Sequence, residues 1–245
     1  MKADPKVQRR LLDLQAIDTA LAQLAHRRRS LPERAELEAL ARELSALEDE
    51  RVRAQVAVDD LDRDIARLEK DIDQVRTRKT KDEDRLAAGV GPARELEALQ
   101  HELASLNRRQ SDLEDAELEV MEQRETAQSV LDGVEQRLVE ARERRAVTEQ
   151  RRDESLSEIT REEEFKRSAR QPLANDLPAD LVQLYERIRT DTGLGAALLT
   201  AGRCGGCRLE LSGADLARIR KADPDEVVRC EECRRIMVRT NESGL

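Results

Sequence analysis

The segment RCGGCRLELSGADLARIRKADPDEVVRCEECRR, residues 203–235, holds every cysteine of the chain. Cys204, Cys207, Cys230 and Cys233 form two Cys-x-x-Cys pairs with 22 residues between them. A two-residue gap lets one tight turn aim two thiolates at the same Zn²⁺, and two such turns complete a tetrahedron with Zn–S distances of about 2.3 Å. The central gap is slightly longer than the usual range of about 15–20 residues. A redox pair would sit at the start of a helix inside a βαβ unit, and no such unit is legible here. Paired disulfides would require an oxidising compartment. The four cysteines therefore read as ligands of one structural Zn²⁺, and a site with four protein ligands has no open position for substrate or water.

The elements that must hold these ligands are short. RLEL at 208–211 alternates after the first pair, EVV precedes the second, and IMV at 236–238 follows it. Between them SGADLARIRKA has Ser212 three residues before Asp215, the spacing of a helix start. A fragment of this size cannot fold on its own apolar core, so the metal is expected to staple it.

Upstream, the pattern changes to a heptad repeat. Leu37, Leu40, Leu44, Leu47, Ala54, Val58, Leu61, Ile65, Leu68, Ile72 and Val75 recur at steps of three and four, with Arg51 in the same register. The repeat resumes at Leu96, Leu99, Leu103, Leu106, Leu113, Val120, Ala127, Leu131, Val134, Leu138 and Ala141, where Gln110, Glu117 and Arg124 also fall on the seam. A sustained 3.5-residue period demands a left-handed supercoil partner. Gly89 and Pro92 lie between the two runs and supply a helix stop and a helix start. The simplest solution is an antiparallel hairpin that places residue 30 opposite about 150 and residue 10 opposite about 170. Residues 4–29 would be a first helix with seam residues Leu14, Ile17, Leu21 and Leu24. SLPE at 30–33 reads as a capping box and a kink near 30–32. The seam thins past residue 145, where fraying is expected. Pro172 and Pro178 end the return helix, and a short helix follows with Leu181, Leu184, Tyr185 and Ile188 on one face. TGLGAALLTAG would pack between that helix and the ribbon.

The expected fold is thus mainly α: a long antiparallel coiled-coil hairpin at 1–171, a short helix and connector at 172–199, and a small zinc ribbon of β structure at 200–245. Composition agrees. The chain is 40% charged and 1% aromatic, with one Tyr, one Phe and no Trp, which suits a thin apolar seam better than a thick core. The net charge is −9, made of +4 over residues 1–30, +1 over 200–245 and −14 between. No apolar run spans a membrane and the first residues lack a signal-peptide core, so a cytoplasmic location is expected. His26 and His101 read as solvated helix residues, and no catalytic constellation or phosphate-binding loop is present, so neither enzyme activity nor a small-molecule substrate is expected.

LLDLQAIDTALAQL near the start, with Leu14, Gln15, Ile17, Asp18, Leu21 and Leu24, is followed by Leu31-Pro32, then by LYERIR at 184–189 and by the four cysteines with Ile236 behind them. This combination resembles a bacterial family of coiled-coil proteins that end in a C4-type zinc ribbon, which includes the flagellar regulator that chaperones the nitrogen-type alternative sigma factor and a related chlamydial protein. The resemblance covers nearly the whole chain. It implies a helical hairpin with a zinc ribbon, and partners among proteins or RNA. The family often shows Gly after the last cysteine and an aromatic shortly after, where this chain has Arg234 and Val238.

Two functions follow from these readings. The first is an adaptor that binds a protein partner in regulation or assembly. The second is nucleic-acid binding through ribbon arginines, with Arg203, Arg208, Arg229, Arg234, Arg235 and Arg239 as the candidate contacts. The ribbon has no aromatic residue on which a base could stack, which counts against the second reading.

Overall fold

The computed structural model describes residues 1–245 and forms two compact units, one of Met1–Arg34 with Gln150–Leu245 and the other of Ala35–Glu149. Five helices and four strands follow in order: α1 (Pro5–Arg29), α2 (Pro32–Ala88), α3 (Ala93–Asn175), α4 (Ala179–Thr192), β1 (Ala196–Thr200), β2 (Arg203–Cys204), α5 (Gly213–Lys221), β3 (Val228–Arg229) and β4 (Ile236–Val238).

The unit of residues 35–149 is an antiparallel pair made of parts of α2 and α3. Its seam is the heptad stripe: Leu44 and Leu47 pack with Val134, Leu138 and Ala141, and Ala54 and Val58 pack with Leu131. Flanking ion pairs run across it, including Arg144 with Glu43 at 2.6 Å, Arg137 with Glu50 at 2.6 Å and Arg76 with Glu114 at 2.6 Å. Each such exposed pair contributes little alone, and together they select one register. Two of the polar seam residues are partnered: Gln110 accepts from Lys79 at 3.4 Å and donates to Glu114 at 2.8 Å, and Arg124 donates to Asp62 at 2.9 Å. At the turn Gly89 has φ 59°, a left-handed conformation in which a side chain would be strained.

The other unit pairs α1 with the last third of α3. Here the structure corrects the expected register. Arg10 meets Asp176 at 2.9 Å and Arg28 meets Thr160 at 3.0 Å and Glu163 at 3.1 Å, so residue 10 faces 176 rather than 170. The interdigitation of seam side chains sets this register, not the midpoint of the turn. Fraying past 145 does not occur, because α1 covers this stretch: Ile159 is fully buried with Leu24 and Leu31, and Glu163 is buried against Arg28. The break near 30 also differs from a capping box. The Ser30 hydroxyl donates back to the His26 carbonyl at 3.0 Å, so it closes α1 instead of opening α2. α3 continues through Pro172 to Asn175, within the last turn, where few helical hydrogen bonds remain to be lost.

A buried polar network ties the helices of this unit to its sheet. Asp18 on α1, almost fully buried, accepts from Arg170 of α3 at 2.6 and 3.0 Å and from the Tyr185 hydroxyl of α4 at 2.7 Å. Arg170 also bonds Glu186, which Arg189 holds at 2.8 Å. Three residues before Asp18, Gln15 turns its side-chain oxygen to the backbone N–H groups of Gly195 at 2.7 Å and Ala196 at 3.2 Å, where β1 begins. Gly195 must be glycine: a Cβ there would lie 2.5 Å from the Tyr185 ring. Leu11, Leu14, Leu181, Tyr185, Ala196 and Ile236 close an apolar core around the network. Burial and the Asp18 hydrogen bond push the Tyr185 hydroxyl well above its ordinary range, so it stays a donor. Burial raises the Glu186 carboxyl, but the hydrogen bonds and charges of Arg170 and Arg189 outweigh it and hold the group below the ordinary carboxylate range.

β1, expected as a connector, is a strand of the ribbon sheet. The order is β2-β1-β4-β3, with β1 parallel to β4 and the other pairs antiparallel. The expected strand at 208–211 forms only one bridge, Glu210 with Arg203, because Arg208 turns left-handed. The first residues join the same unit: Ala3 N–H donates to Asp225 O at 2.7 Å and Val227 N–H to Met1 O at 3.1 Å.

Asp18→Ala is expected to lower stability by about 3 kcal/mol, read from urea unfolding, because it strips a half-buried guanidinium and a buried hydroxyl of their acceptor. The Glu186 contribution is present above the ordinary carboxylate range and is lost as the pH falls through the depressed folded value, so Glu186→Gln should flatten the acid side of the stability profile.

Candidate metal centre

The two Cys-x-x-Cys turns are built alike. Arg208 N–H donates to Cys204 O at 2.7 Å and Arg234 N–H to Cys230 O at 2.9 Å, each closing a tight loop around its pair. Cys204 N–H in turn donates to Leu209 O, and Cys230 N–H to Arg235 O, both at 3.0 Å. In both loops the residue after the second cysteine is left-handed: Arg208 has φ 64° and Arg234 has φ 62°. This is the physical reason a glycine suits that position, and it applies to both knuckles of this chain. Gly205 N–H donates to Leu198 O at 2.8 Å, and a Cβ on Gly205 would meet that oxygen at 2.8 Å, so the first knuckle lies directly on β1.

These turns bring the four sulfurs within 4.8 Å of one another. Cys204 Sγ lies 3.8 Å from Cys233 Sγ, and Cys207 Sγ lies 3.9 Å from Cys230 Sγ. Four sulfurs about 2.3 Å from a common centre, at tetrahedral angles, stand about 3.8 Å apart. The donor set thus fits a zinc ion, and all four thiols are free of disulfides. Cys204 and Cys230 are fully buried against Leu199, Leu211, Ile219, Val228 and Met237, and their partners are half-buried. When bound, the ion supplies cross-linking and charge neutralisation.

The protonation pattern shows what the ion must do. Burial pushes the Cys204 thiol up, although the N–H groups of Cys207 and Gly206 draw it down. Burial likewise pushes Cys230 up to about 12, against the N–H groups of Cys233 and Glu232. Cys233 is also desolvated, but the Arg235 N–H and the neighbouring sulfurs outweigh that and bring it down to about 7. Without a cation the cluster keeps protons, and metal binding must expel them. Metal affinity therefore falls as pH falls.

The six candidate nucleic-acid arginines are not brought together as one free patch. Arg239 is a structural cap: its guanidinium donates to the carbonyls of Ile219, Ala222, Asp223, Pro224 and Glu226 at 2.7–3.3 Å. Arg235 donates to Thr192 O at 2.9 Å and lies over Gly206. Arg203 pairs with Glu210 at 3.1 Å, and Arg234 reaches Glu231 at 3.7 Å. Arg208 and Arg229 are exposed. Sequence reasoning missed the Arg239 cap and the Gln15–Asp18 network. A signal for the network was present, since Gln15 and Asp18 stand beside the apolar seam of α1 where solvated residues gain nothing from burial.

A helical hairpin joined to a tetrathiolate ribbon defines the class: coiled-coil proteins bearing a C4-type zinc ribbon. Residues 14–193 match the CT398-like coiled coil hairpin domain, and residues 203–237 match the C4-type zinc ribbon domain. The chain belongs to the CT398-like coiled-coil hairpin family. It is 42% identical over 239 residues to a Mycobacterium tuberculosis protein, covering 98% of both chains. A solved structure from Mycobacterium smegmatis is similar with a TM-score of 0.86 at 37% identity, covering 98% of this chain and 100% of that one. CT398 from Chlamydia trachomatis shares the fold with a TM-score of 0.64 at 21% identity, over 95% and 97% of the two chains.

Cys230→Ser is expected to drop bound zinc well below one equivalent per chain by atomic absorption and to melt the ribbon, while most ellipticity at 222 nm persists because most of the length of α2 and α3 packs in clusters that hold no ribbon residue. Arg234→Gly relieves a left-handed non-glycine residue and should raise ribbon stability by about 0.5–1 kcal/mol, seen as slower zinc loss to a chelator.

Proposed function

We propose that the chain is a non-enzymatic adaptor that binds protein partners in regulation or assembly. The observation that carries this reading is the saturated metal centre: all four coordination positions are taken by cysteine sulfurs that already stand at tetrahedral spacing. Such an ion shapes a small rigid surface and offers no position for substrate. The ribbon is in turn fixed to α1, α3 and α4 by the Gln15–Asp18–Tyr185 network, so zinc orders one continuous recognition unit. The paired helices of residues 35–149 add extended surface with exposed Val52, Val56, Leu118 and Met121. A cytoplasmic location is part of the proposal, since reduced thiols favour metal over disulfides there; no helix is long and apolar enough to cross a membrane.

Nucleic-acid binding is the second reading, favoured by the exposed Arg208 and Arg229. It is the weaker one, because Arg235 and Arg239 are engaged by backbone carbonyls and the ribbon presents no aromatic platform.

Two measurements separate them. Cross-linking in the native cell should recover a defined protein with the intact chain and lose it when residues 200–245 are removed. Short RNA and DNA titrated against the purified chain should show no binding near physiological salt; tight binding with a steep salt slope would favour the second reading.

A further inference from the structure

Away from the metal, the start of α1, the end of α5 and the last residues of the chain enclose a groove of about 320 Å³. Its lining mixes apolar Pro5, Ala222, Pro224 and Leu245 with polar Thr240 and Asn241, and Arg9 and Arg220 stand along it. Both arginines are exposed, and neither has a hydrogen-bond or ion-pair partner. None of the side chains lining the groove is acidic, although the chain as a whole carries −9. A third arginine, Arg239, also borders it, but its guanidinium is held by five backbone carbonyls and helps to fix the wall. Gln8 is fixed likewise, donating to Ala3 O at 2.8 Å and Pro224 O at 3.4 Å. The groove is thus a partly apolar slot, braced by Arg239 and Gln8, with two unused guanidinium groups beside it.

We infer that this groove docks a short acidic peptide segment of the protein partner, with apolar side chains in the slot and carboxylates on Arg9 and Arg220. The inference rests on the adaptor reading and names a contact surface for it. Charge complementarity selects the occupant, because two unpaired guanidinium groups fit carboxylates in a forked geometry. The volume suits two or three aliphatic side chains. A nucleotide fits less well: no aromatic ring lines the slot, and the start of α1 offers no free phosphate cradle. Pro5 has no N–H there, and the Asp4 carboxylate already accepts from Lys6 N–H at 2.7 Å.

A random twelve-residue peptide library displayed on phage tests this against the full-length, zinc-loaded chain, with the R9E/R220E double variant as counter-target. Helical ellipticity and one zinc per chain verify that the variant is folded. The expected result is enrichment of sequences in which Asp or Glu flanks Leu, Ile, Val or Met. Synthetic copies should lose at least about tenfold in affinity for R9E/R220E, as expected for two lost charge-assisted contacts. R9K/R220K keeps both charges but not the fork, so it should lose less affinity than R9E/R220E while binding more weakly than the wild-type chain, and Arg203→Glu should change nothing. No enrichment, enrichment without acids, or equal affinity for the double variant overturns the inference. So does binding of a twelve-nucleotide RNA that depends on Arg9 and Arg220 in place of peptides, or a dimer in sedimentation that R9E/R220E dissociates. If the cellular partner still cross-links to R9E/R220E, the groove assignment fails while the adaptor reading stands; if the wild-type chain cross-links to no protein, the adaptor reading itself fails.

Discussion

Four cysteine sulfurs lie within 4.8 Å of one another, and two of them are fully buried. Thiolates so close repel one another, and burial in an apolar surrounding removes the water that would otherwise stabilise their charge. Only a cation at their centre lets all four ionise together, and the backbone N–H groups aimed at the sulfurs are too weak to do so alone. Everything in the ribbon follows from that constraint. The strands are two to five residues long and the apolar cluster beneath the knuckles is small, so neither would persist without the cross-link.

The ribbon is not an appendage on a flexible tether. β1 grows directly out of α4, and its first N–H groups are accepted by Gln15 from α1. Asp18, one turn further along, collects Arg170 and Tyr185 from two other helices. A buried carboxylate with two charge-assisted bonds and a hydroxyl is satisfied, whereas any one of its partners left alone would carry a large desolvation cost. The network therefore acts as an alignment device: α1, α3, α4 and β1 reach their places together. LYERIR at 184–189 has its meaning here, since Tyr185, Glu186 and Arg189 all belong to this network.

Much of the candidate site was legible in the sequence. Cys204, Cys207, Cys230 and Cys233 announce their chemistry through spacing, because two thiolates two residues apart sit on one tight turn whatever surrounds them. The heptad stripe from Leu37 to Val75 and from Leu96 to Ala141 specifies helices that need a partner. Gly89 and Pro92 mark where the chain reverses. Less legible were the roles of the arginines. Arg239 and Arg203 look alike in a list of basic residues, yet one is surrounded by backbone carbonyls and the other faces solvent beside Glu210. The strain at Arg208 and Arg234 was hidden for a related reason, since only the path of the folded knuckle forces a positive φ on them.

By itself, then, the sequence determined the ligands of the metal, the helical period and the position of the turn. These properties are local: they depend on residue type and on spacing within a few helical or extended turns. Tertiary structure alone decided that residue 10 faces 176, that β1 runs parallel to β4, that α3 passes through Pro172, and that Gln15 and Asp18 are buried. Each of those depends on which distant side chains interdigitate and on which distant groups satisfy a buried donor or acceptor, and that free energy exists only once segments far apart in the chain have met.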